Sequence, residues 1–172
     1  MEEFGFGGHT CLIYSSSEDL WKSVIPYMKE GLKRGEKVIY VADDNKQEDV
    51  KKAILADDPG VFETALSKGD VVILSREETY HQSGVFDPEA MIALIGSLEQ
   101  EALSQGYKGV RGLGEMTWAL EDVPGADKLV EYERQLNEFV KRHKMGIVCL
   151  YNQQRFGPEM INLMLRIHPH KV

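Results

Sequence analysis

Short apolar runs alternate along this chain with stretches in which apolar residues recur at every third or fourth position. Residues 10–14 (TCLIY), 38–42 (VIYVA), 71–74 (VVIL) and 147–151 (IVCLY) are near-continuous apolar runs, the pattern of strands buried on both faces. A weaker fifth run starts at Gly109 and heads through Gly112 towards Glu115, interrupted by Arg111. Between these runs, residues 18–33 place Leu20, Val24, Ile25, Met28 and Leu32 on one helical stripe. Residues 88–104 do so with Met91, Ile95, Leu98 and Ala102, and residues 126–142 with Leu129, Tyr132, Leu136, Phe139 and Val140. Shorter helices are expected over 47–56, 60–67 and 158–165. Ser16 to Asp19 resembles a capping box, Pro88 after Asp87 suits a first helical turn, and Pro26 is expected to kink its helix. Gly31, Gly35, Gly69, Gly106 and Gly146 read as turn glycines between helix and strand. The alternation, with no repeat and no linker, predicts one α/β domain over residues 1–172. Its architecture is three layers, with a mostly parallel five-stranded sheet between helices.

Composition narrows the function. The chain has 172 residues, enough for one self-supporting core. Its net charge is −8 and no basic run interrupts it, which argues against nucleic acid or an anionic membrane as a direct partner. Residues 1–8 are acidic and glycine-rich, unlike a secretory leader. The apolar runs are too short to span a bilayer. A cytoplasmic location is therefore expected, with Cys11 and Cys149 as buried thiols of a reducing compartment. No metal and no cofactor is expected. His9 and His168 should meet at the amino edge of the sheet, near Cys11, because the last helix runs back antiparallel. Without CxxC or HxxxH spacing, His9 is read as a strand-start histidine bonded to backbone carbonyls.

The turn after the first strand is where a phosphate loop, G-x-x-x-x-G-K-[ST], would lie. Lys22-Ser23 is present, but Ser16 and Trp21 occupy the two glycine positions. An indole there blocks the close backbone approach that phosphate needs, and Glu18 and Asp19 repel it. Lys22 is read as a solvated helix residue.

Ligands of open parallel sheets bind at the carboxyl ends of the strands. Tyr14 and Ser15 mark that edge on the first strand. Arg111-Gly-Leu-Gly-Glu115-Met-Thr-Trp118 adds an arginine, two glycines that permit close approach, a carboxylate and an indole. Arg111 is expected to pair with Glu115 or with Glu133, which lies inside an apolar helical stripe. Tyr151, Asn152 and Tyr80 complete the candidate ligand site; His81 is expected to be exposed and Phe156 to be a core or lid residue.

The ordered set His9-Thr-Cys11-Leu-Ile-Tyr14, Gly31-Leu32, Gly35-Glu36, Glu78-Thr-Tyr80, Phe86-Asp-Pro88, Arg111 to Trp118, Tyr132-Glu133, Leu136-Asn137, Cys149-Leu-Tyr151-Asn152 and His168-Pro169 resembles the MEDS sensory domain from His9 to Pro169. The resemblance implies a RecA/KaiC-like fold without its phosphate loop. It implies a non-catalytic sensor of small molecules, hydrocarbon derivatives among them, in signal transduction or transcription regulation. With no residues left for a kinase, PAS or DNA-binding module, a stand-alone sensor, or a partner that acts through contact with another protein, is expected, and self-association is left open. Two other readings compete: a degenerate nucleotide-binding module without ATPase activity, and an enzyme with Glu115 as general base, for which no nucleophile is visible.

Overall fold

Strands form where the apolar runs predict them, and a sixth joins them. β1 (His9–Tyr14), β2 (Lys37–Ala42), β3 (Val71–Ser75), β4 (Val110–Glu115), β5 (Met145–Asn152) and β6 (His170–Lys171) make one sheet in the order β3-β2-β4-β5-β1-β6. Every pairing is parallel. β6 is two exposed residues beside Thr10 and Cys11, too short and polar for an apolar run to announce it. The computed structural model describes residues 5–171; residues 1–4 of the acidic, glycine-rich segment and Val172 lie outside the described residues.

Among the described residues six α-helices connect the strands: α1 (Ser17–Arg34), α2 (Gln47–Asp57), α3 (Pro59–Lys68), α4 (Pro88–Ser104), α5 (Leu129–Val140) and α6 (Pro158–Ile167). α1 begins where Ser16 Oγ accepts the Asp19 N–H at 3.2 Å, and it ends at Gly35, whose φ of 76° only glycine adopts readily. It continues unbroken through Pro26. The expected helix over 126–142 is shorter, because a 3₁₀ turn, Ala126–Lys128, precedes α5. Gly31 and Gly146 are not turn residues: Gly31 lies inside α1 and Gly146 inside β5.

The handedness of parallel crossovers dictates the layers. The chain first moves along the sheet from β1 to β2 to β3, with α1, α2 and α3 on one face. It then returns from β4 to β5 to β1's far side, which places α4, α5 and α6 on the other. Two apolar cores result. Leu20, Val24, Met28, Ile54 and Phe62 pack against Val38, Leu113 and Val148 on the first face. Met91, Ile95, Tyr132, Leu136 and Met164 pack against Ile39, Ile147 and Cys149 on the second. Because β2 is followed by a first-face helix and β4 by the second-face chain, their carboxyl ends splay apart and leave a crevice.

Candidate functional site

The crevice at the carboxyl edge is polar and has a volume of about 520 Å³, bounded by the turns after β2, β3 and β4 and by Arg155. Its two arginines are already engaged. Arg76 pairs with Asp43 at 3.2 Å, Glu77 at 3.0 Å and Glu121 at 2.5 Å, and Arg155 pairs with Asp44 at 2.5 Å. Burial pushes the Asp43 carboxyl up to about 6, against the nearby Arg76. One Asp43 oxygen, Oδ2, is buried without a partner.

Glu115 is buried on the first face behind this crevice and holds its wall. It accepts from Tyr40 Oη at 2.6 Å, from the Asp43 and Asn45 N–H groups at 3.0 and 2.8 Å, and from Asn45 Nδ2 at 2.8 Å. Burial pushes its carboxyl up, against these donors. Four donors saturate a carboxylate, so Glu115 fixes the turn after β2 and has nothing left to offer a ligand or a substrate proton. Tyr14 is buried on the same face and its hydroxyl has no partner. Asn152 donates to Asp44 at 3.1 Å, and Ser15 is bonded by Gln153.

Trp118, Tyr80 and Tyr151 belong to the opposite face. Trp118 is fully buried, with ring centroids 4.8 Å from Tyr80 and 4.2 Å from Phe86. Phe156 is a core residue beside Tyr151, at 5.0 Å between centroids. His81 is half-buried, edge-on to Trp118 at 5.9 Å. The eight candidates therefore do not share one hollow. Glu115 and Trp118, three residues apart, are divided by the sheet itself.

Arg111 is placed elsewhere again. It lies on the first face near the amino end of β4, where its Nε donates to Glu36 and one terminal nitrogen to the Tyr27 carbonyl at 3.0 Å. Its guanidinium stacks over the Tyr27 ring at 4.4 Å. Neither expected partner is available. Glu115 stands four residues along the strand, roughly 13 Å away, and Glu133 is behind the sheet. Gly31 leaves the slot through which the Arg111 chain passes, since a Cβ there would overlap Arg111 Cδ.

The second face holds an apolar hollow of about 50 Å³ between the middle of the sheet and α4 and α5. It exists because β4 turns Gly112 and Gly114 towards those helices and so presents no side chain. Ile39, Val41, Ile95, Tyr132, Ile147 and Cys149 surround it, and Tyr80 closes one end with its hydroxyl over Gly114. A depression of about 120 Å³ on the outer side shares Thr79, Tyr80 and Met91 with the hollow. Of the expected site residues, Tyr80 lines this hollow and Trp118 backs it. The glycines were visible in the sequence as points of close approach, but not as the floor of a cavity.

Beside the hollow, Glu133 is fully buried between two histidines. His9 Nε2 lies 3.1 Å and His168 Nε2 3.0 Å from the same carboxylate oxygen, and Tyr151 donates to the other. Burial pushes the Glu133 carboxyl up, but the two imidazoles outweigh it and hold the carboxyl well below its usual range. Burial and then the Glu133 charge push the Cys149 thiol far up. The expected meeting of His9 and His168 occurs, with ring centroids 4.2 Å apart. His9, however, bonds side chains rather than backbone carbonyls, and the thiol within reach is Cys149, not Cys11. The signal for Glu133 was a carboxylate inside an apolar stripe, which needs a buried partner.

The turn after β1 cannot cradle phosphate. The helix starts three residues past Tyr14, so Ser16 to Ser23 are cap and helix, and Lys22 pairs with Glu18 at 2.6 Å on the solvent side. The fold is nevertheless shared with two solved structures. The KaiC-like protein PH0186 from the hyperthermophilic archaeon Pyrococcus horikoshii OT3 superposes with a TM-score of 0.65 at 14% identity, over 98% of this chain and 71% of that one. The flagellar accessory protein FlaH from Methanocaldococcus jannaschii gives 0.62 at 11%, with the same coverage. Among proteins of curated function, no sequence matches this chain. Residues 8–169 match the MEDS family, the methanogen/methylotroph, DcmR sensory domain. The chain belongs to that family, and its RecA/KaiC-like architecture serves a sensory domain.

Proposed function

We propose that the domain is a non-catalytic sensor of a small, uncharged, largely apolar molecule, a hydrocarbon derivative of a few heavy atoms, bound in the hollow over Gly112. The observation that carries this reading is the hollow itself: an apolar space in the middle of a packed core, produced by two glycines on a central strand. Native cores normally fill such space, and small apolar cavities stay dry and take up apolar guests. Tyr80 and Met91 form the mouth between the hollow and the outer depression. Tyr80 belongs to the long connection between β3 and α4, so a guest that moves Tyr80 also moves surface residues 81–85, where a protein partner in signal transduction would read the change.

Two observations disfavour the alternatives. The edge crevice carries Asp43, Asp44, Glu77 and Glu121 against Lys46, Arg76 and Arg155, a poor host for triphosphate. Burial pushes the Cys11 thiol up to about 12 and the Cys149 thiol higher than usual, which makes both poor nucleophiles. The test is thermal denaturation of the full chain with one- to three-carbon haloalkanes, compared with Gly112→Val, whose side chain would occupy the hollow. Ligand present at a hundredfold excess over its Kd should stabilise the wild type by about 2.7 kcal/mol and leave the variant unchanged. Equal responses of the two proteins to the whole series would refute the reading.

A further inference from the structure

Four side chains of metal-ligating type converge behind the sheet: His9, His168, Cys149 and Glu133 each direct one ligand atom to a common point, and these atoms lie within 4.8 Å of one another. Adjacent separations are 3.0 Å for His168 to Glu133, 3.1 Å for His9 to Glu133, 3.3 Å for His9 to Cys149 and 3.6 Å for Cys149 to Glu133. Ligand atoms around a tetrahedral ion with bonds of about 2.0–2.3 Å stand roughly 3.3–3.7 Å apart, so these four separations match that spacing or fall a few tenths of an ångström short of it.

The neighbours of the histidines set their tautomers. His168 Nδ1 faces the Met164 carbonyl at 2.8 Å, and a carbonyl can only accept. Asn137 donates its Nδ2 to the Ile167 carbonyl at 3.0 Å, which leaves Asn137 Oδ1 to accept from His9 Nδ1 at 2.8 Å. Both rings therefore carry a proton on Nδ1 and turn the Nε2 lone pair onto a carboxylate oxygen. His168 Nε2 is buried and its neighbour is a Glu133 carboxylate oxygen at 3.0 Å. Lone pairs facing a carboxylate need positive charge between them, a proton or a metal ion. One proton, on His168, gives a neutral imidazolium–carboxylate pair and leaves His9 Nε2 to accept from the Cys149 thiol at 3.3 Å; a divalent ion is the other way to place positive charge among these groups. One divalent ion with one thiolate, one carboxylate and two neutral imidazoles carries no net charge, which burial favours. Ligating histidines commonly donate their far N–H to a backbone or amide carbonyl in this way.

We propose that His9, His168, Cys149 and Glu133 bind one divalent first-row transition ion of the zinc type, a choice that mixed imidazole, thiolate and carboxylate donors favour. Loading releases the Cys149 proton to solvent, and the other three bonds use existing lone pairs. Four protein ligands saturate a tetrahedral ion, so the site is of the closed, structural kind. It ties β1, β5 and α5 to the chain end that follows α6. Cys149 also lines the hollow, but the inference does not depend on what the hollow binds.

The full chain, refolded from denaturant with cobalt(II), tests it. We expect one ion per chain by native mass spectrometry, visible bands of four-coordinate intensity and a near-ultraviolet thiolate-to-cobalt band. That band should persist in Cys11→Ser and vanish in Cys149→Ser. If Cys149→Ser does not fold, Cys11→Ser decides, because it leaves Cys149 as the chain's one thiol. No stoichiometric cobalt in the wild type, no sulfur band in Cys11→Ser, or a band that survives Cys149→Ser would overturn the proposal. Gly112→Val should bind cobalt as the wild type does, so failure of the hollow and failure of the metal site read out separately.

Discussion

The Tyr80 hydroxyl occupies the space that a Cβ on Gly114 would need, while the next atom of the Tyr80 ring, Cζ, would stand 3.6 Å from that Cβ. Gly114→Ala is therefore expected to destabilise the fold by overpacking, by about 1–3 kcal/mol. Tyr80→Phe removes only a hydroxyl whose partner is the Met116 sulfur at 3.7 Å, so alone it should cost little. Combined with Gly114→Ala it should restore most of the loss. A double-mutant cycle by urea denaturation measures the coupling, and additive effects would show that the two positions do not compete for this space.

Trp118 packs against Tyr80 and Phe86, which also pack on each other, and has no exposed surface. Trp118→Ala should cost about 3–5 kcal/mol, as for other buried aromatics cut to alanine. Its indole nitrogen has no partner, so Trp118→Phe should cost well under half as much. Denaturation curves of the two variants decide this. A Trp118→Ala protein of near wild-type stability would instead make the indole a ligand-facing wall.

How much of this was readable in the sequence follows from how strands bury. Residues 38–42 and 147–151 announce themselves because both faces are covered and every position is apolar. The same feature erases the in-and-out alternation that would tell one face from the other. Hence Arg111, Glu115 and Trp118 looked like one constellation, although the structure sends Arg111 to Glu36, Glu115 to Tyr40 and Asn45, and Trp118 to the aromatic cluster behind the sheet. The histidine meeting was legible from topology alone, since the helix after β5 must run back towards the start of β1. Which cysteine joins it was not, because Cys11 and Cys149 are neighbours in register and face the same core, so the choice rests on a displacement of one strand spacing.

Arg111 and Glu36 form an ion pair that is almost wholly buried, with side-chain exposures of 1% and 5%. Glu36→Gln leaves the guanidinium without its counter-charge, and such losses cost about 3–5 kcal/mol. Arg111→Met in the same background removes the stranded charge and should recover part of the loss. Gly31→Ala should destabilise the wild type but not an Arg111→Ala protein, because the obstruction is the arginine's own Cδ. Chemical denaturation of these variants provides the check, and equal costs of Gly31→Ala in both backgrounds would contradict it.

Asp43 supplies the pH dependence that is simplest to sign. Burial raises its carboxyl from the ordinary 3.8 to about 6 in the folded protein, although Arg76 pulls the other way. The folded state therefore binds the proton more tightly than the unfolded chain between those values. Stability from this group is fully present below about pH 4 and is lost as pH rises through about 6. Asp43→Asn removes the titration while keeping the size of the side chain. The stability of the wild type relative to Asp43→Asn should accordingly increase as pH falls from 7 to 4, whatever the other carboxylates do to both proteins in common. Urea midpoints of the pair across that range measure the difference. A flat difference would mean that Asp43 titrates as a solvated carboxylate, and a falling one that its pairing with Arg76 outweighs its burial.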